Sequence, residues 1–284
     1  MDMLGAILGD YFGSPFEGGV LLGSCQGAGW SNPDMQFTDD TVMTVACAEV
    51  ALQQHKSHSL ADYGKSFNKW GRKYPGVGYG SQFNNWLQKP YEEIPPELGS
   101  FGNGSAMRAS PIAWVPGLER TPEEEAKVSA LCTHAHPEGI RGAVAVVEAT
   151  RLALRGASVE RMRVHLEELT RYNLRRTVYG IRSSGYTFNS TCQGSVPEAL
   201  VCALEARSFE HALHLALSLG GDTDTQACIA GAVAEARFHN PLKNTQIPLW
   251  EIDKYRKVLT RLPQEMLQVV RQFVRVAHRR EPSF

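Results

Sequence analysis

No stretch of alternating apolar and polar residues longer than about four positions lies between hairpin turns in this chain, so it has almost nothing from which to build a sheet. Apolar residues recur instead at helical spacing. Val42, Val45, Ala46 and Val50 share one face, and 138–155, 158–172 and 197–206 carry the same period, the last opened by Pro197. Thr121-Pro122-Glu123-Glu124 reads as a capping box with proline at the first helical position, starting a helix toward His134. Phe209, Leu213, Ala216 and Leu217 continue the pattern to a Gly220-Gly221 stop, alanine and leucine dominate 225–236, and 263–280 is amphipathic with a basic end. The glycine-rich 1–37 reads as a short apolar segment followed by loops. Residues 71–104, rich in glycine and proline, read as a long irregular stretch of the kind that carries function. Without repeats or linker composition, the expectation is one all-α domain over 1–284.

Charge and cysteine narrow the class. The 29 basic and 30 acidic side chains leave a net charge of −1, which argues against electrostatic binding to nucleic acid or a membrane surface. No apolar run reaches the roughly 20 residues of a spanning helix. The start MDMLGAILGDYFG lacks a basic region and makes a poor signal peptide, so a cytoplasmic protein is expected. Cys25, Cys47, Cys132, Cys192, Cys202 and Cys228 form no CxxC pair and read as core.

Two segments share a chemistry. Thr38-Asp39-Asp40-Thr41 and Asp222-Thr223-Asp224-Thr225 each precede an apolar helix. Either alone reads as a helix cap with acids in the first turn. Together they place four carboxylates and several hydroxyls where a cap needs one oxygen, and crowded like charges call for a cation. Hard oxygen donors without neighbouring His or Cys select Mg²⁺, Mn²⁺ or Ca²⁺. If the two helix starts meet, a shared carboxylate could bridge two ions.

The remaining candidates divide more evenly. Gly102-Asn103-Gly104-Ser105-Ala106-Met107-Arg108 reads either as an Asn-Gly turn or as an anion nest of backbone N–H groups, and it is neither a Walker A loop nor a dinucleotide fingerprint. His134 and His136 read as dipole-stabilised and solvated at a helix end. The HxxH pairs His55/His58 and His211/His214 read as surface. Tyr74, Tyr79, Trp86, Phe101 and Tyr186 read as loop packing, with stacking on a base as the sharper alternative. Arg271, Arg275, Arg279 and Arg280 read as a solvated helix face.

In this order, six segments resemble the ADP-ribosylglycohydrolase family: GAILGDYFGSPFEG at 5–18, FTDDTVMTVACAEVAL at 37–52, GNGSAMRASPIAW at 102–114, THAHPEGIRGA at 133–143, CQGSVPEAL at 192–200 and SLGGDTDTQACIAGAVAEA at 218–236. The resemblance implies an all-α fold, two divalent cations (Mg²⁺ or Mn²⁺), and hydrolysis of the glycosidic bond between ADP-ribose and an acceptor. It implies Thr38, Asp39 and Asp40 as ligands of one ion, Asp222 and Thr225 as ligands of the other, and Asp224 as the bridge. Asp39, Asp40 and Asp224 are then the candidate catalytic carboxylates. Gly102, Asn103, Gly104, Ser105 and Met107 would wrap the diphosphate and His134 would contact substrate. Glu17, Asp10 and Ser195 would border the cleft or pack loops. Arginine is the first acceptor expected, from likeness to the branch that reactivates dinitrogenase reductase, with the loops 18–36 and 71–100 choosing it. The expected partners are an ADP-ribosylated protein or small conjugate and the ADP-ribose product, with nucleic acid only as an ADP-ribosylated substrate, and a monomer is the default. Competing readings are a metal-dependent phosphohydrolase of related nucleotides, a non-catalytic ADP-ribose binder, and a toxin-immunity protein.

Overall fold

The computed structural model describes residues 3–19, 30, 32–53, 57–89, 99–239 and 249–277, with the side chains of 249–251 and 254 excepted. The described residues are mostly helical: α1 (Leu4–Gly13), α2 (Asp39–Ala51), α3 (Leu60–Lys73), α4 (Ser81–Leu87), α5 (Gly104–Met107), α6 (Pro111–Trp114), α7 (Pro122–Leu131) and α8 (Pro137–Leu154) make the first part. The rest is α9 (Val159–Thr170), α10 (Val178–Ser183), α11 (Cys192–Glu205), α12 (Phe209–Leu219), α13 (Thr223–Phe238), α14 (Leu249–Leu259) and α15 (Gln264–Ala277). Among the described residues the only β pairing is two isolated bridges, Gly99 with His134 and Gly102 with Thr191. No described helix is long and apolar enough to cross a membrane.

The glycines of the amino-terminal segment mark a helix rather than loops. Gly5, Gly9 and Gly13 recur every fourth residue and so line one face of α1, which lies antiparallel against α13. The two backbones touch there: a Cβ at Gly5, Gly9 or Gly13 would sit 2.3 Å from the Gly231 carbonyl oxygen, 2.0 Å from that of Ala227, or 2.4 Å from that of Thr223. Side chains of any size would hold the axes at the usual 8–10 Å or beyond. Glu235 of α13 completes the contact by accepting the Gly5 N–H at 2.7 Å, which satisfies one orphan donor of the α1 start. From Thr223 to Ala236 every residue of α13 is buried, with α8, α11 and α12 on its other sides.

Several local expectations change. The capping box at Thr121 and Glu124 is present. So is one at Ser59 and Asp62, which opens α3 with Tyr63, Phe67 and Trp70 on its buried face. The stretch 71–104 is therefore partly helical, holding the end of α3 and all of α4; 90–98 lies outside the described residues. Pro197 sits inside α11 instead of opening it. Thr191 is the cap, accepting the Gly194 N–H at 3.1 Å, and the missing proline N–H merely leaves one carbonyl of the first turns without its helical partner.

His58 is a core residue. Its Nδ1 lies 2.6 Å from the Glu125 carboxylate, which also accepts from the Tyr63 hydroxyl at 2.7 Å. That hydrogen bond, against the opposing effect of burial, raises the His58 pKa above the usual histidine range. His55 lies outside the described residues. His211 and His214 are half-buried, the latter edge-on to Phe12. Cys47, Cys132, Cys192, Cys202 and Cys228 are free and buried, as expected, and Cys25 is undescribed. Arg271 and Arg275 stand on the exposed face of α15 opposite Met266, Val270, Phe273 and Ala277; Arg279 and Arg280 are undescribed.

Candidate active site

The close approach of α1 to α13 brings the end of the first helix beside the start of the second, and α2 opens against both. Asp10, near the α1 end, is the anchor. Its carboxylate accepts the Thr38 N–H at 2.9 Å, the Thr38 hydroxyl at 2.7 Å, the Thr41 N–H at 3.0 Å and the Thr41 hydroxyl. The first turn of α2 is thereby fastened to α1 through a single side chain. Thr38 is still the α2 cap, accepting from the Asp40 N–H at 3.3 Å.

Asp40 projects into the same space. The Thr225 hydroxyl donates to its Oδ2 at 3.2 Å, and the Thr38 oxygen, whose proton goes to Asp10, lies 3.3 Å from the same atom, while Asp40 Oδ1 is buried with no partner. Asp222 occupies the cap position of α13 without making a cap bond; its Oδ2 accepts from the Asn103 side-chain amide at 2.7 Å. Simple capping therefore describes Thr38 and not Asp222. Asp39 lies under the 77–80 loop: its N–H donates to the Val77 carbonyl at 2.9 Å, and a Cβ at Gly78 would stand 2.6 Å from its Oδ1. Gly78, at φ 114°, takes a conformation that L side chains rarely adopt, so glycine alone lets the loop cross so near.

Two acidic trios emerge, each with ligand atoms within 4.8 Å of one another: Asp10, Asp40 and Asp224, and Glu17, Asp222 and Asp224. Asp224 belongs to both. Crowding shows in the proton affinities. Burial and Asp222 push Asp224 up to about 8, burial and Asp224 push Asp10 up to about 7, and burial with Asp224 and Asp10 holds Asp39 and Asp40 well above the carboxylate range. A partnerless buried oxygen on Asp40 and a ring of hard donors fit a divalent cation, which would remove both the repulsion and the unsatisfied acceptor.

Glu17, Asp39, Asp40, Asp222 and Asp224, with Asp10 buried beneath them, line a cavity of about 610 Å³. Gly102, Asn103, Gly104, Met107 and His134 line the same cavity, Asn103 in direct contact with Asp222, as do Phe101 and Phe188, each about half exposed. The loop is held by Asn103 N–H to the Ser190 carbonyl at 2.8 Å and Cys192 N–H to the Phe101 carbonyl at 2.8 Å. Those bonds narrow the expected nest. The Gly102 and Asn103 N–H groups are occupied, and only those of Gly104 and Ser105 lack an acceptor among the described residues.

Other expected site residues land elsewhere. Ser105 is buried with its hydroxyl donating to the Gly139 carbonyl at 2.7 Å, and Ser195 sits behind Asn103, accepting from its amide at 3.0 Å. Both shape the wall without lining it. His134 is buried and not solvated at a helix end, because α7 stops at Leu131 and the bridge to Gly99 draws the next residues inward; burial and Arg108 hold its pKa well below the usual value. His136 caps α8, accepting the Glu138 N–H at 3.1 Å. Of the aromatics, Tyr79 lines the cavity, Trp86 is core, and the Tyr186 hydroxyl donates to the Gly194 carbonyl at 3.0 Å. Sequence reasoning set Asp10 at the border and did not single out Arg108. The available signal was a lone charge inside an apolar helix for the first, and for the second only its place at the end of the glycine loop.

Acids gathered around a cavity are the groups that general acid–base or metal-assisted chemistry requires. The family model of ADP-ribosylglycohydrolase matches residues 3–281, and the chain belongs to that family. It is 28% identical over 301 residues to the ADP-ribosylhydrolase ARH3 of Danio rerio, covering 83% of this chain and 81% of that protein. It is 25% identical to the ADP-ribosyl-dinitrogen reductase glycohydrolase of Rhodospirillum rubrum, covering 75% and 72%. A solved ADP-ribosylglycohydrolase-related protein complex superposes with a TM-score of 0.64 at 24% identity, over 97% of each chain, which shows a shared fold. The enzyme is thus a glycosidic-bond hydrolase of this family.

Proposed function

We propose that this enzyme hydrolyses the bond between the distal ribose of ADP-ribose and an acceptor, in the first instance a protein arginine, with two divalent cations, Mg²⁺ or Mn²⁺, held between α1, α2 and α13. The observation that carries this reading is the membership of Asp224 in both acidic trios beside one cavity. Thr38, Asp39 and Asp40 would serve one ion, Asp222 and Thr225 the other, and Asp224 both. The trios add Asp10 and Glu17 as candidate donors. When bound, such cations orient ribose hydroxyls and a water and favour the deprotonated water.

The chain's own residues then do the following. Asp39, Asp40 and Asp224 face the cavity; one of them polarises the attacking water or takes its proton, and together they oppose the positive charge developing at the anomeric carbon. Gly102, Asn103, Gly104 and Met107 line the cavity for the diphosphate, and the Gly104 N–H, without an acceptor among the described residues, is the backbone donor that offers itself there. Exposed Glu17 at the rim offers a carboxylate that suits a guanidinium acceptor.

Chelator-treated protein titrated with Mn²⁺ should take up two equivalents; one equivalent or none would remove the two-ion reading. Saturation at about 100 times Kd should stabilise the fold by about 2.7 kcal/mol for each ion bound. The sign with pH follows from the raised aspartates. A carboxyl whose folded pKa exceeds its unfolded value favours the fold below the unfolded value, and that contribution is lost as pH rises through the folded value. Between about pH 4 and the folded values of about 7 and 8 for Asp10 and Asp224, the metal-free protein should therefore lose stability. The melting shift on adding Mg²⁺ should accordingly be larger at pH 8 than at pH 6, and a shift of equal size at both would contradict metal binding by these acids.

A further inference from the structure

Among the residues that line the cavity, beside Thr133 and His134, is a cation that the acidic chemistry does not explain. Arg108 is buried, and no carboxylate stands within ion-pair distance of it among the described residues. Its guanidinium lies 3.9 Å above the Phe67 ring and donates from one nitrogen to the Ser129 carbonyl at 3.0 Å and to the Thr133 hydroxyl at 2.7 Å, while its Nε has no partner. The Thr133 hydroxyl in turn stands 2.7 Å from Nδ1 of His134.

Donor and acceptor arithmetic fixes the direction of this chain. A guanidinium only donates, so the Thr133 oxygen accepts from Arg108 and keeps its own proton to give. The second acceptor near that hydroxyl is the Cys132 sulfur, a weak one whose thiol already donates to the Ser129 carbonyl at 3.3 Å. Nδ1 is the stronger of the two acceptors, so the Thr133 proton goes to it and Nδ1 carries the lone pair. The positive charge on the same side favours that lone pair over an N–H dipole. The imidazole's own proton then resides on Nε2. That atom has no protein partner among the described residues and looks onto the glycine loop: a Cβ at Gly104 would stand 3.2 Å from it and one at Gly102 3.7 Å.

We infer that Arg108 and Thr133 are positioning residues that lock His134 as the neutral Nε2–H tautomer and present that N–H to the cavity, beside Gly102 and Gly104, as a fixed donor for an anionic phosphate oxygen. The two glycines keep the donor uncovered, since a side chain at Gly104 would meet the ring. An imidazole free to exchange tautomers would offer a lone pair to the same anion part of the time. The relay removes that repulsive state before the ligand arrives, which is preorganisation of a donor and not proton transfer. The identity of the anion as a diphosphate rests on the function proposed above; the tautomer does not.

The test is the imidazole nitrogen spectrum of protein labelled at its nine histidines, with His134 assigned by the signal lost in His134→Gln. The wild-type signal should show an unprotonated Nδ1 and a protonated Nε2 in the free protein. Thr133→Val should convert it to a mixture and weaken ADP-ribose binding, measured with Mg²⁺ present, by about tenfold, the worth of one charge-directed hydrogen bond. Thr133→Ser, which keeps the hydroxyl, should restore both readouts, whereas a role in packing alone would follow the lost methyl. A proton on Nδ1 in the wild type, a freely exchanging pair, or an unchanged tautomer in Thr133→Val would overturn the inference. Failure to bind ADP-ribose at all, with the tautomer as stated, would count against the proposed function and leave the relay standing.

Discussion

Asp224→Asn should lower kcat by on the order of 10²–10⁴-fold while making the metal-free protein more stable, not less. The two effects have one cause. Asp224 sits in both acidic trios, and its carboxyl is pushed up to about 8 by burial and by Asp222. In the absence of cations its ionised form is a buried like charge beside Asp10 and Asp222, and asparagine removes that charge with little change in shape. The gain in melting temperature should be small near pH 5, where the acid is protonated in the fold, and should grow toward pH 8. Adding Mg²⁺ should reverse the ranking, because on the proposed two-ion reading the variant lacks the donor that both sites share. Loss of activity with the same melting curve at every pH and metal concentration would detach Asp224 from the cation chemistry. Near-normal turnover would remove it from the site altogether.

Gly9→Val should destabilise the fold by about 3 kcal/mol or more, beyond the ordinary range for overpacking. At most overpacked positions a side chain can turn aside. Here the first atom added meets the Ala227 carbonyl oxygen at 2.0 Å, its carbon at 2.4 Å and the Cys228 nitrogen at 2.7 Å, all backbone. The strain can be relieved only by driving α1 and α13 apart. Asp10 follows Gly9 directly, so the same displacement pulls the anchor of Thr38 and Thr41 away from Asp224, and activity should fall further than the loss of folded protein explains. Gly80→Ala is the control: nothing lies within 4 Å of that position, and its melting temperature should move little. A Gly9→Val protein that melts with the wild type would contradict the helix contact that assembles the site.

Much of the helical architecture was legible in the chain because it rests on local chemistry. Thr121 and Glu124 form the expected box, and the apolar spacing of 138–155 and 158–172 marks two real helices. The glycine-rich start misled for a physical reason. Glycine lowers helix propensity by about 1 kcal/mol per residue, so Gly5, Gly9 and Gly13 read as loop until α13 is present to use the space they leave. Pro197 misled similarly: a proline suits a helix start, yet Thr191 supplies the cap earlier.

At the site, the two aspartate segments announced themselves because repetition of carboxylates exceeds what capping needs. Asp10 and the burial of His134 did not, since each depends on chain segments far apart in sequence. Asp10 gains its meaning from residues about 30 positions on, and His134 from the arginine behind it. Ser105 and Ser195, placed by their neighbours in the sequence, turn out to support the wall from behind.

The most direct measurement is release of free ADP-ribose from a peptide mono-ADP-ribosylated on arginine, run with Mg²⁺, with Mn²⁺ and with excess chelator, alongside the serine-linked peptide. The account predicts intact ADP-ribose and unmodified arginine peptide with either cation, and no release under chelation until metal is added back in excess. Release unaffected by chelator would contradict the cation reading of the two trios. Release of phosphate in place of ADP-ribose would contradict glycosidic cleavage, and release from the serine-linked peptide alone would overturn arginine as the acceptor.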